Sequence, residues 1–213
     1  MKILIIIPIF NEENQLDKCL QSFVNQTTKT LNLILVNDGS TDNSKEIINK
    51  YSKKFSWING YNKTSNGKAE AGKKIIKAFN FGKSKSKIKY DLIGKFDGDI
   101  ILPKNYLEKM IQHFKKDEKI GICSGVLFVK KNDQWLYEDL HDKKHIRGAL
   151  KLYSKNCFQD IGGLIENLGW DTVDELLAKY FKYKTKVDEN IIVKHLRRTS
   201  KRYNQKIIYK QGE

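Results

Sequence analysis

Asp97 and Asp99, separated by Gly98, close the apolar run Tyr90-Asp91-Leu92-Ile93-Gly94-Lys95-Phe96 and are followed at once by Ile100-Ile101-Leu102-Pro103. Acids at i and i+2 on an extended backbone project to one side. At the carboxyl end of a strand they lie where open α/β sheets bind their ligands. Two like charges beside a buried strand repel, and a cation relieves that repulsion. The chemistry this favours is a divalent metal holding a phosphate-bearing ligand. Asp-Gly is also ordinary turn chemistry, so the tripeptide draws its weight from the segments before it.

Two loops upstream share this character. Pro8-Ile9-Phe10-Asn11-Glu12 and Asn37-Asp38-Gly39-Ser40-Thr41-Asp42 each follow an apolar run, Lys2 to Ile9 and Leu31 to Val36. Strands from these runs would set both loops side by side at the carboxyl edge of a sheet. An acid such as Asp38 can there accept hydrogen bonds from a base edge or a ribose hydroxyl. The plainer alternative is a tight turn at Asp38-Gly39 with Thr41 or Asp42 capping the next helix.

Helix-period segments alternate with the strands. Glu13 to about Asn25 places Leu16, Cys19, Leu20, Phe23 and Val24 on one stripe; Ser44 to Lys54 does so with Ile47, Ile48 and Tyr51. A short strand is expected near Ile58 to Tyr61, a helix over about Ala69 to Phe81, and a strand over Leu92 to Phe96. Pro103 suits the first position of a helix that turns Leu107, Met110, Ile111 and Phe114 inward. Beyond Ile120 the pattern predicts strands at Gly121 to Val129, Gly148 to Tyr153 and Ile191 to His195, and helices at Ser154 to Ile161 and Thr172 to Tyr180. The lysine-studded stretch Lys83 to Lys87 reads as a loop. The fold class is α/β, a mostly parallel central sheet with helices on both faces.

Composition bounds the partners. The 213 residues, 39% of them hydrophobic, suit one domain with a real core. A net charge of +15 asks for anionic partners. Cys19, Cys123 and Cys157 are odd in number and far apart, which favours buried thiols in a reducing compartment over a disulfide framework. The opening Lys2-Ile3 run is cut by Pro8 and lacks a cleavage site, and no apolar stretch reaches the length of a membrane helix, so a cytoplasmic location is expected.

Ile7 to Glu13, Val36 to Asp42 and Lys95 to Asp99, in this order and spacing, resemble the three successive signatures of family-two glycosyltransferases, over most of the chain to about His195. The resemblance implies the glycosyltransferase-A fold, a nucleotide-sugar donor, Mn2+ or Mg2+, and inversion at the anomeric carbon. It implies that Pro8, Asn11 and Glu12 line the nucleotide pocket and that Asp38 contacts the base. Asp97 would meet the ribose or a metal-bound water, Asp99 would ligate the metal, and Lys68 would touch donor phosphates. It divides the single domain into a nucleotide-binding half (about 1–102), an acceptor-side half (about 103–195) and a basic tail (196–213).

The family also carries a catalytic base in a late Glu-Asp pair. In Gly169-Trp170-Asp171-Thr172-Val173-Asp174-Glu175, Trp170 stands in the glutamate's place and Asp171 matches the aspartate, so Asp171 is the expected base. An N-cap is its bland alternative, and helix-dipole pairing that of Asp174 and Glu175. His195 is a candidate third metal ligand, against an ordinary structural histidine. Arg147 is a candidate on the acceptor side, and Arg197 and Arg198 are candidates for clamping phosphate. Trp135, Tyr137 and Trp170 offer stacking surfaces for a sugar, with core packing as the plainer role. The function expected is metal-dependent inverting transfer of a sugar to a hydroxyl, on a glycan or lipid-linked acceptor of surface polysaccharide or glycolipid assembly. The basic tail suggests peripheral association with an anionic membrane, weighed against simple solvation. The rival readings are a basic nucleic-acid- or anionic-surface-binding protein, which lacks a nucleic-acid-recognition motif, and an inactive relative, prompted by Trp170.

Overall fold

The computed structural model describes residues 1–28, 30–64, 72–138 and 144–197. In chain order the elements are β1 (Ile3–Ile9), α1 (Glu13–Val24), β2 (Leu31–Asn37), α2 (Ser44–Lys54), β3 (Ile58–Asn62), α3 (Lys73–Lys85), β4 (Leu92–Phe96), β5 (Ile100–Ile101), α4 (Tyr106–Lys116), β6 (Ile120–Lys131), β7 (Gln134–Tyr137), β8 (Leu150–Ser154), α5 (Lys155–Asp160), α6 (Trp170–Tyr180) and β9 (Lys184–His195). One sheet runs β3-β2-β1-β4-β8-β6-β9-β5, with β7 hairpinned onto β6. Its first four strands are parallel, and the β4–β8 and β8–β6 pairings are antiparallel.

The central strands bury both faces, as their unbroken apolar runs require. Ile3, Ile5, Ile7 and Ile9 of β1 join Leu33 and Leu35 of β2 in a core under α1 and α4. The alternate residues Leu4, Ile6, Ile34 and Val36 enter a second core with Ile76 and Phe79 of α3 and with Phe158 and Trp170. Full burial of each such side chain contributes roughly 1.5–3 kcal/mol. All three cysteines are buried with free thiols.

The sheet has to curl. Phe96 and Ile100 are joined by residues 97–99 alone, a span of at most ~14 Å, whereas the four strand spacings from β4 to β5 would take about 19 Å in a flat sheet. Curling brings the far edge, β9 and β5, back to the end of β4. Asp97 to Asp99 forms the seam: Asp97 N–H donates to Ala149 C=O before β8, and Leu196 N–H donates to Asp99 C=O just after β9.

Several elements differ from the sequence expectation, for physical reasons. Helix α3 begins at Lys73, behind Gly72 at φ 71°, while the expected start at Ala69 lies outside the described residues; it runs through Lys83 and Lys85, so that stretch is helical where a loop was expected. Lysine is a good helix former and sits well beside the helix's negative end. Pro103 is not the first helical residue. The start of α4 is held from outside by Gln26, whose Oε1 accepts the Leu107 N–H at 3.0 Å while its Nε2 donates to Pro103 C=O at 2.9 Å. Helix α6 starts at Trp170 rather than Thr172, behind a left-handed Gly169. Strands β5 and β7 were not anticipated, and β9 is longer than expected because its first residues pair with β6.

One glycine decides whether β9 can arrive at all. A Cβ on Gly125 would lie 2.4 Å from the Ile191 carbonyl oxygen, a backbone atom, at a register shift between β6 and β9. Gly125→Ala is expected to destabilise the protein by about 1–3 kcal/mol, the ordinary cost of overpacking. A lowered urea midpoint with an unchanged slope would show it.

Candidate active site

The two loops after β1 and β2 are zipped together by side chains. Asn11 N–H donates to Ser40 Oγ at 3.0 Å, Thr41 N–H to Asn11 Oδ1 at 2.8 Å, and Glu12 N–H to Ser44 Oγ at 2.8 Å. Asn11 takes φ 54°, a conformation asparagine tolerates better than most residues. Its carbonyl is thus spent on shaping the loop. Asp42, weighed as a helix cap, also ties the loops: its carboxylate accepts N–H groups from both Ser44 and Glu13 at 3.0 Å. Pro8 lies past the last β1 residue paired with β4, where its missing N–H breaks no ladder. Asp38 is fixed by its own N–H to Ile9 C=O at 2.8 Å. Lys63 reaches its carboxylate at 2.8 Å and Lys74 approaches to 4.0 Å.

At the seam, Asp97, Asp99 and His195 are all buried, and each offers a ligand atom within 4.8 Å of the others. Backbone pairing explains how residues almost a hundred apart meet: Ile100 of β5 lies opposite His195 of β9, so the imidazole lands beside Asp99. His195 Nε2 is 3.5 Å from Asp99 Oδ1, and Nδ1 is 2.7 Å from Glu138 Oε2. Burial opposes a charge on His195, but the hydrogen bonds to Asp99 and Glu138 outweigh it and push its pKa up to about 9. Arg197 donates to Asp99 Oδ2 at 3.3 Å and to Glu12, and Lys95 donates to Asp97.

Four carboxylates, Glu12, Asp97, Asp99 and Glu138, gather here with Lys95, Arg197 and His195. Asp97 and Asp99, with oxygens within 4.8 Å of each other, repel by roughly 3 kcal/mol at an effective dielectric near 20. Carboxylate oxygens plus one imidazole are the donor set that magnesium, manganese or a related divalent ion accepts. The residues present fit such an ion, with Glu138 orienting His195 from behind as outer partners do.

The expected base lies two contacts away. Lys95 Nζ also donates to Gly148 C=O at 2.9 Å, and a Cβ built on Gly148 would sit 3.1 Å from Asp171 Oδ2. Asp171 is the second residue of α6, and no side chain caps that helix, so the capping alternative is excluded. Asp174 and Glu175 lie beyond the first turn of α6, which starts at Trp170, so the helix-dipole alternative does not apply to them. Both are buried: Lys151 Nζ holds Asp174 Oδ1 at 2.7 Å and Glu175 Oε1 at 3.3 Å, Tyr153 donates to Asp174, and His145 Nδ1 lies 3.0 Å from Glu175 Oε1. Trp170 is only 6% exposed and packs in the second core, with the Lys95 and Lys151 ammoniums 5.3 Å and 5.7 Å from its ring. That burial corrects its candidacy as an acceptor contact: the plainer packing role holds. Arg147 lies in the turn before β8, next to Gly148. Arg197, expected to clamp phosphate, binds carboxylates here. Trp135 and Tyr137 are half-buried on β7, with Tyr137 edge-on to Phe128 and Lys194 over Trp135. Lys68, Arg198 and the rest of the basic tail lie outside the described residues. No helix among the described residues is long and apolar enough to cross a membrane.

This curled sheet matches solved glycosyltransferases of the GT-A type. The mannosyltransferase PcManGT from Pyrobaculum calidifontis, in complex with GDP-Man and Mn2+, aligns with TM-score 0.69 at 13% identity, covering 91% of this chain and 56% of that one. S. aureus TarS 1-349 in complex with UDP-GlcNAc aligns with TM-score 0.72 at 14% identity, covering 96% and 62%. The profile of the family described as "Glycosyl transferase family 2" matches residues 4–166, and the chain belongs to that family. The matched stretch contains Asp97 and Asp99 and ends before Asp171 and His195. Curated relatives include a cholesterol galactosyltransferase of Borreliella burgdorferi, 32% identical over 123 residues (58% of this chain, 32% of the relative). Another is a chondroitin synthase of Pasteurella multocida, 33% identical over 117 residues (55% and 11%). The chain thus spans a third or less of the length of these two. It is a sugar-transferring enzyme domain.

Proposed function

We propose that the protein transfers a sugar from a nucleotide-sugar donor to a hydroxyl acceptor with inversion, in one metal-dependent displacement. The observation that carries this is the meeting of Asp97, Asp99 and His195 at the seam, two contacts from Asp171. Asp99, His195 and Asp97 would hold the ion, which when bound neutralises the charge growing on the leaving diphosphate. Asp38 accepts an N–H of the base, with Lys63 and Lys74 poised to donate to a carbonyl on the same edge. Pro8, Asn11 and Glu12 shape the wall of that pocket, and Arg197 exchanges its carboxylates for phosphate as the donor enters. The same reading assigns Lys68 to the donor phosphates and Arg147 to the acceptor. Asp171, at 35% side-chain exposure, is open enough to take the acceptor's proton. The names of relatives that build polymers or glycolipids support a glycan or lipid-linked acceptor, with the +15 charge holding the enzyme at an anionic cytoplasmic membrane face.

Thermal shifts with UDP-GlcNAc and GDP-mannose, each with and without Mn2+, test the donor site. One donor at a hundred times its Kd should add about 2.7 kcal/mol, or about 5–10 °C in a chain this size, and only with the ion present. Asp99→Asn should lose the ion-dependent part. An equal shift in chelator would reject metal dependence.

A further inference from the structure

We propose that Arg197 is an exchangeable counter-ion of the acid cluster. It pairs with Asp99 and Glu12 in the ligand-free enzyme, moves to the diphosphate when ion and nucleotide arrive together, and so makes each of them bind better with the other. This rests on the donor and metal reading above and adds how the two are coupled.

The end of β9 brings two basic groups to one carboxylate. Leu196 N–H donates to Asp99 C=O, and the residues on either side of it both turn toward that acid. His195 Nε2 stands 3.5 Å from Asp99 Oδ1, while Arg197 Nε donates to Oδ2 at 3.3 Å. The other arm of the guanidinium donates to Glu12. Glu12 in turn lies over the link between the two aspartates, since a Cβ on Gly98 would sit 3.5 Å from Glu12 Cγ. Arg197 therefore ties the loop after β1 to the expected metal ligand.

Of the three basic side chains at the cluster, Arg197 has room to move: it is 30% exposed, against 2% for Lys95 and 3% for His195. Lys95 is also pinned to Gly148 C=O at 2.9 Å. A divalent charge placed on Asp99 repels the neighbouring guanidinium. A diphosphate offers the same planar fork parallel oxygen acceptors, as a carboxylate does. An ion arriving alone thus meets a competitor at Asp99, and a nucleotide arriving alone strips a cation from two buried acids. Together, each removes the other's obstacle. The backbone bond from Leu196 holds the strand end in place, so the exchange needs only the side chain to swing.

Mn2+ binding, read from the EPR signal of the free ion with and without UDP or GDP, tests this without any turnover. Linkage requires that nucleotide tighten Mn2+ by the same factor as Mn2+ tightens nucleotide. Arg197→Gln should tighten Mn2+ alone by about tenfold and weaken it when nucleotide is present, a loss of coupling on the scale of the ~5–150-fold usual for linked sites. Arg197→Lys keeps the charge and loses the fork, so it should bind Mn2+ alone as the wild type does and hold nucleotide less well. A guanidinium that never leaves its acids would show as equal tightening by Arg197→Gln in both states, and a merely structural one as weakening in both. Either result, or an unchanged affinity for Mn2+ alone, overturns the exchange while the ion site stands. Mn2+ bound by neither wild type nor variant, with or without nucleotide, would instead reject the metal reading and the exchange with it.

Discussion

Asp171→Asn is expected to lower kcat by about 10²–10⁴-fold, the usual worth of a positioned general base, while leaving donor affinity and the Mn2+-dependent thermal shift intact. The substitution keeps shape and removes only basicity. Asp171 does not cap α6, and Lys151 binds its backbone carbonyl rather than its carboxylate, so the change should leave the helix start undisturbed. The side chain borders Gly148, whose carbonyl is held by the lysine that also grips Asp97, so Asp171 and Asp97 are tied to one ammonium. Steady-state kinetics separate the possibilities: a fall in kcat with an unchanged KM marks an interaction made only in the transition state. A rise in KM alone would make Asp171 a substrate-binding group and leave the base to be found elsewhere.

The parts of this site legible in the sequence are those whose partners lie nearby in the chain or whose strands are uninterrupted. Asp97 and Asp99 stand out because a buried strand ends on them, and Ser44 to Lys54 was read to the residue because its stripe is clean. Lys95 carried a signal that went unread: a lysine inside a buried strand, two residues before Asp97, must share its face and needs an acid. Lys151, between Leu150 and Leu152, carried the same one. Register then sets these two lysines opposite each other, with Trp170 against both, which explains why the indole is packing rather than a platform for sugar. Glu138 and His145 carried no local mark, since their partners come from β9 and α6, dozens of residues onward. The curl of the sheet, which creates those meetings, follows from a three-residue link that no periodicity reveals.

The largest effect on stability should come from Lys151→Met. Lys151 is fully buried beneath Trp170, and Asp174 and Glu175 depend on its charge. Removing one partner of a buried ion pair typically costs 3–5 kcal/mol because the other charge stays behind, about 6–20 °C for a chain of this length. Burial already pushes the pKa of Asp174 up, with Lys151 the main opposing influence. Without that lysine the acid titrates higher still. A folded-state pKa above the unfolded one means that the native protein binds the extra proton between the two values, so stability falls as pH rises through that window. Lys151→Met should therefore lose most at neutral and alkaline pH and recover in mild acid, in urea titrations across that range. Adding Asp174→Asn removes the stranded charge and should return ~0.5–3 kcal/mol as a coupling energy. Simple additivity, with the same loss at every pH, would show that Lys151 acts through packing and not through its charge.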